Sequence, residues 1–97
     1  MSLTLANDKK ELKTLDLYSG AITKVHGESH PEAFEVREQF EKIQEKITTD
    51  KDNLQLDEEF ENLRQITNNY EVPKDVCETY EATYKMLEQA DKEYHSQ

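Results

Sequence analysis

Apolar residues recur along this chain at three- and four-residue steps, and those steps predict four helices and no strand. The first helix runs from about Asn7 to Val25, with Leu12, Leu15, Tyr18, Ile22 and Val25 on one stripe and Asn7 or Thr4 as its cap. The second runs from Pro31 to about Ile47. Its apolar residues Ala33, Val36, Phe40, Ile43 and Ile47 step 3-4-3-4, a seam suited to near-parallel helix packing. Residues Thr48 to Asn53 favour turns and caps and break the pattern. The third helix runs from about Leu54 to Asn68 or Tyr70, burying Leu56, Phe60, Leu63 and Ile66, and Asn68-Asn69 tolerates the left-handed backbone that ends a helix. After Glu71-Val72-Pro73, a fourth helix runs from about Lys74 to Tyr94, with Val76, Tyr80, Tyr84, Leu87 and Tyr94 on one face. Short connections between amphipathic helices make antiparallel neighbours, so the expected fold is all-α: an antiparallel up-down four-helix bundle, one domain over residues 1–97.

Between the first two helices lies Val25-His26-Gly27-Glu28-Ser29-His30-Pro31-Glu32, which holds two of the three histidines. Gly27 suits a left-handed helix cap, and Pro31 suits a first helical position. His26 follows Ile22 by four residues and Leu15 by eleven, so helical geometry aims its imidazole along the buried stripe. Two roles stay open for it: metal ligand, or core histidine bonded to a carboxylate or carbonyl. For His30, a place beside the helix start outweighs a role as ligand. Cys77 falls in the expected first turn of the last helix, where the helix dipole favours a thiolate. A reactive thiol is one reading, and a small hydrophobe packed under the preceding loop is the commoner one. Tyr80, Tyr84 and Tyr94 read as core. Glu35, Glu38, Glu41 and Glu45 read as a solvated face, some pairing with Arg37 and Lys42. No serine or cysteine has a histidine partner that the sequence identifies, so hydrolysis lacks support.

Composition narrows the classes. Only 34% of the 97 residues are hydrophobic, so the core must be thin, and a second copy, a metal or a partner would supply missing burial. Twelve basic against twenty-two acidic side chains give a formal charge of −10, a field that repels nucleic acid and anionic membranes. There is no apolar run of membrane-spanning length and no leader pattern, so the expectation is a soluble, cytoplasmic protein. One cysteine excludes an intrachain disulfide, and two glycines exclude phosphate-binding loops.

Two segments resemble one family. Val25 to Glu32, continuing through Phe34, Val36 and Phe40, is similar to the V-H-G…H-P-E…V…F segment of the RIC proteins, hemerythrin-like proteins associated with iron–sulfur cluster repair. Leu63-Arg64-Gln65-Ile66-Thr67-Asn68-Asn69-Tyr70-Glu71-Val72-Pro73-Lys74-Asp75-Val76-Cys77-Glu78-Thr79-Tyr80 resembles that family's L-R-x-L-T-N-N-Y-x-V-P-x-D-x-C-x-T-Y run. The matches lie in the right order and span roughly residues 22–87. The resemblance implies a hemerythrin-like bundle, a non-haem di-iron centre held by histidines and carboxylates, and repair of clusters damaged by oxidative or nitrosative stress. The departures are large. The family's double histidine on the first helix, its H-x-x-x-E at the end of the second and its histidine opening the third are missing here, where Ile47-Thr48-Thr49-Asp50 and Asn53 stand instead. The chain stops at His95-Ser96-Gln97, and His95 is offset from the family's last H-x-x-x-E-N pattern. His26 alone carries over as a ligand position; His30 matches the motif without a clear role. The expectation is therefore a ligand-depleted relative without a stoichiometric di-iron centre, binding or assisting rather than turning over substrate. Its rival is a metal-free helical protein-interaction module, with a protein partner or a homodimer as the natural occupant. Pairing two copies would bring His26 and His30 of each chain together as an iron or zinc site. In a bundle, His95 should lie at the opposite end from that turn.

Overall fold

The structure, a computed structural model, describes residues 3–96 and holds five helices and no strand among them. These are α1 (Thr4–Asn7), α2 (Lys9–His26), α3 (Glu32–Thr49), α4 (Asp57–Ile66) and α5 (Glu78–His95), with a 3-10 turn at Lys51–Asn53. The all-helical expectation holds, and so does the stripe of α3: Ala33, Val36, Phe40, Ile43 and Ile47 are all buried. They meet Leu15 and Ile22 of α2, Phe60 and Leu63 of α4, and Tyr80, Tyr84, Leu87 and Ala90 of α5 in one continuous core. Each Val, Ile, Leu or Phe side chain among them contributes about 1.5–3 kcal/mol when fully buried. Placing a modest apolar content on single stripes is thus how a highly charged chain still builds a core.

Neighbouring helices run antiparallel. Along α3 and α4, Lys46 meets Glu59 and Gln39 meets Asn62. Phe60 of α4 stacks near Tyr94 of α5, and Arg64 reaches Asp91 one turn earlier. His26 at the end of α2 lies beside Tyr80 at the start of α5, while α1, just before α2, is tied to Glu93 near the end of α5. The end of α2, the start of α3 and the start of α5 therefore share one end of the molecule.

Local departures have physical causes. Asp8, rather than Asn7 or Thr4, caps α2, its Oδ1 accepting from the Lys10 amide at 2.9 Å. Val25 is exposed, because Leu15, Ile22 and His26 already fill the inward line and Val25 falls outside it. Gly27 is right-handed (φ −58°, ψ −31°), not left-handed, and the winding continues through it to a 2.7 Å bond from the His30 amide to the His26 carbonyl. Glycine is needed for closeness: a Cβ would overlap the Thr23 carbonyl and come within 2.6 Å of the Phe34 ring. Pro31 is right-handed and caps α3, one position before the expected one.

The fourth segment is shorter than its apolar spacing predicts. α5 starts at Glu78 because Cys77 is extended (φ −83°, ψ 172°) and Asp75 is drawn to His30. α4 ends as expected in left-handed backbone at Asn68 and Asn69, and Tyr70 joins them at φ 64°. A left-handed tyrosine costs about 1–2 kcal/mol. Its amide donates to Thr67 Oγ1 at 2.7 Å and its hydroxyl to Asp91 Oδ2 at 2.7 Å, which offsets that cost.

Candidate functional site

At the shared end, the continued helical winding from His26 to His30 puts both imidazoles on one side, facing the first turn of α5. His26 Nε2 lies 3.2 Å from Cys77 Sγ, across 51 residues of sequence. Its ring stands edge-on to the buried Tyr80 at 5.4 Å, which fixes its orientation. Cys77 is exposed, and its sulfur makes no bond to the helix it caps. The thiol is thus available, with a proton acceptor in reach. Two expectations are corrected here: Cys77 is not a packed hydrophobe under the loop, and it does have a histidine partner.

His30 is bonded on both sides. Its Nδ1 lies 3.2 Å from Glu32 Oε2 and its Nε2 3.0 Å from Asp75 Oδ1. Both neighbours accept only, so the protonated ring alone can donate to both. Partial desolvation opposes that charge, but the hydrogen bonds and charges of Glu32 and Asp75 outweigh it and raise the His30 pKa above its ordinary 6.5. Behind the histidines, the Tyr80 and Tyr84 hydroxyls lie 3.0 Å apart, and burial foremost pushes both phenols up. They remain neutral packing groups at ordinary pH.

His95 is at the opposite end, as expected. Its Nδ1 lies 2.7 Å from Asp91 Oδ1, and its Nε2 lies 3.7 Å from Asp57 Oδ1. The buried Asp91 carboxylate also accepts from Tyr70, with Arg64 Nη1 at 3.5 Å. A shallow depression of about 280 Å³ lies over this cluster, lined by Arg64, Tyr70 and Lys92 among others. At the same end Glu59 is buried, with Oε2 2.7 Å from Lys46 Nζ and Oε1 without a hydrogen-bond partner.

The di-iron donor set that the resemblance implies does not fit these side chains. Both His30 nitrogens face carboxylates, His26 faces Cys77, and His95 is remote. Phe40, Phe60, Leu63, Leu87 and Tyr84 fill the interior between the helices. Among the described residues no group of three or more histidine, cysteine, aspartate or glutamate side chains is placed to hold a metal ion. No helix among them is long and apolar enough to cross a membrane.

Reading the sequence missed the Cys77–His26 pair and the two carboxylates around His30. A signal existed: antiparallel alternation puts the end of one helix beside the start of the last, so His26 and Cys77 had to share an end. Comparison with family models, curated proteins and solved structures finds no match for this chain.

Proposed function

We propose that this chain is a hemerythrin-like four-helix bundle protein related to the RIC proteins, an accessory factor in iron–sulfur cluster repair or iron homeostasis under oxidative or nitrosative stress. Its working group is Cys77 rather than a resident di-iron centre. The antiparallel pairs α2–α3, α3–α4 and α5–α2, with α4 reaching α5 through Phe60–Tyr94 and Arg64–Asp91, support the bundle reading. The observation that carries the functional reading is the 3.2 Å approach of His26 Nε2 to an exposed Cys77 Sγ.

In such a pair the imidazole is within reach to take the thiol's proton as the sulfur attacks, and a thiolate is the nucleophile of sulfur chemistry. With a small persulfide as donor, His26 takes the Cys77 proton and the thiolate attacks the terminal sulfur. A new S–S bond forms as the donor's S–S bond breaks. The departing thiolate then recovers the proton from His26, leaving a Cys77 persulfide. A protein that carries sulfur in this way supplies what a damaged cluster needs without holding iron. A cytoplasmic setting suits a lone exposed thiol.

The test is mass spectrometry after exposure to a small persulfide donor. The wild type should gain one sulfur atom, Cys77→Ser none, and His26→Ala should react at least about tenfold more slowly. Equal rates in the wild type and His26→Ala would remove the reading.

The alternative, a metal-free interaction module, rests on Leu17, Val25 and Phe34, which are 63%, 69% and 57% exposed. It requires that Phe34→Ser abolish a concentration-dependent gain in mass and leave Cys77 chemistry untouched.

A further inference from the structure

We infer that His30 is a protonation-dependent clasp that holds the Asp75–Cys77 segment against the end of α2 and so sets whether Cys77 meets His26. This rests on the reading of Cys77 as the working group and names how that group is regulated. His30 stands between Glu32 on α3 and Asp75 on the connection into α5, with a nitrogen aimed at each carboxylate. A neutral imidazole has one N–H, so it can satisfy one of the two and must turn a lone pair toward the other. Glu32 is the nearer in sequence and lies on a helix. Asp75 is 71% exposed on an irregular segment and has water to replace its partner. Deprotonation therefore releases Asp75.

Groups facing His30 from the other packed elements reinforce that direction. His26, at the end of α2, lies 6.4 Å away ring to ring and donates nothing to it. Tyr80 of α5 presents a ring at 5.7 Å, with its hydroxyl engaged by Tyr84. Among the described residues, Glu32 and Asp75 alone contact the His30 ring nitrogens, and the elevation of its pKa agrees with both doing so. Cys77 follows Asp75 by two residues, so loss of the clasp frees the backbone that places the thiol. In acid the pair is assembled, and above the His30 titration it is loosened.

The clasp is tested by nuclear magnetic resonance on the full chain, following the His30 ring and the Cα order parameters of residues 74–77 from about pH 5.5 to about pH 9.5. These readouts do not depend on sulfur chemistry, so the clasp and the sulfur-carrier reading fail separately. The order parameters should fall from about 0.85 toward about 0.6 with the same midpoint as the ring. Asp75→Asn should move that midpoint down, and His30→Gln should leave the segment mobile at every pH. A segment that keeps its order while His30 titrates overturns the inference. So does a ring that never titrates in this range, or a midpoint indifferent to Asp75→Asn.

Discussion

At one end of the helices His30 stands between Glu32 and Asp75, and at the other His95 stands between Asp91 and Asp57. The residue types match, but the burial does not. Asp75 is 71% exposed, whereas Asp91 is 8% exposed and shared among Tyr70, His95 and Arg64. An exposed carboxylate can leave its partner for water at little cost. A buried one cannot, because losing its bonds means standing uncompensated in a low-dielectric interior. The same chemistry is therefore a movable contact at one end and a fixed brace at the other.

The largest effect should come from the brace. Asp91→Ala removes the acceptor common to Tyr70, His95 and Arg64 and is expected to cost about 3 kcal/mol, lowering the Tm by roughly 15 °C in a thermal melt. A loss no larger than that of a surface substitution would erase the distinction between the ends.

Next is Lys46→Met, which strips the counter-charge from the buried Glu59 at the same end and should cost about 2–3 kcal/mol in denaturant unfolding. Adding Glu59→Met should restore most of it, because the Glu59 Oε1 that lacks a partner disappears too. A double variant as weak as the single one would show that Lys46 acts through packing.

Tyr70→Phe deletes one hydrogen bond to Asp91 and should cost about 1–1.5 kcal/mol by the same measurement. At the other end Cys77→Ser should change stability by less than about 0.5 kcal/mol, since the thiol is exposed and caps nothing.

The weakest and most diagnostic effect is in pH. Folding raises the His30 pKa, so its contribution is complete below the ordinary value of 6.5 and drains away as pH rises through the higher folded value. Denaturant midpoints should therefore decline over that window in the wild type and stay flat there in His30→Gln.

How far the sequence reveals these ends depends on whether a feature is periodic or tertiary. The α3 stripe is legible because one buried face dictates every third or fourth residue, and nothing competes with it. Helix α1 is not, since four residues contain no period. Lys74–Cys77 reads as helix, but Asp75 and Cys77 find partners across the molecule that a helical start would deny them. Gly27 is marked correctly as special and for the wrong reason: a Cβ there would meet the Thr23 carbonyl and the Phe34 ring, and the second contact exists only once α2 and α3 have folded together. Glu59 gives no sign of burial, because its neutralising lysine sits on another helix. Histidine roles are the least legible of all. His26, His30 and His95 are assigned by whichever side chain the far helix presents.

The tie between Thr4 and Glu93 carries a consequence of another kind. Both Glu93 oxygens are used, one accepting from the Thr4 amide at 2.9 Å and one from its hydroxyl at 3.1 Å. Burial works against the carboxylate's charge, yet these bonds, with one from Gln89, lower its pKa. The chain is thereby closed into a ring by a non-covalent link spanning 89 residues. Closing so long a loop is entropically expensive, and two charge-assisted hydrogen bonds share that work with Leu3, Leu5 and Ala6, which are buried in the same core. The hydrogen-bonded part of that closure weakens when acid titrates Glu93. Its stabilisation is present above the ordinary 4.5 and fades as pH falls through the lowered value. Acidification should therefore loosen the Thr4–Glu93 link while Leu3 and Leu5, packed in the core, keep α1 in place.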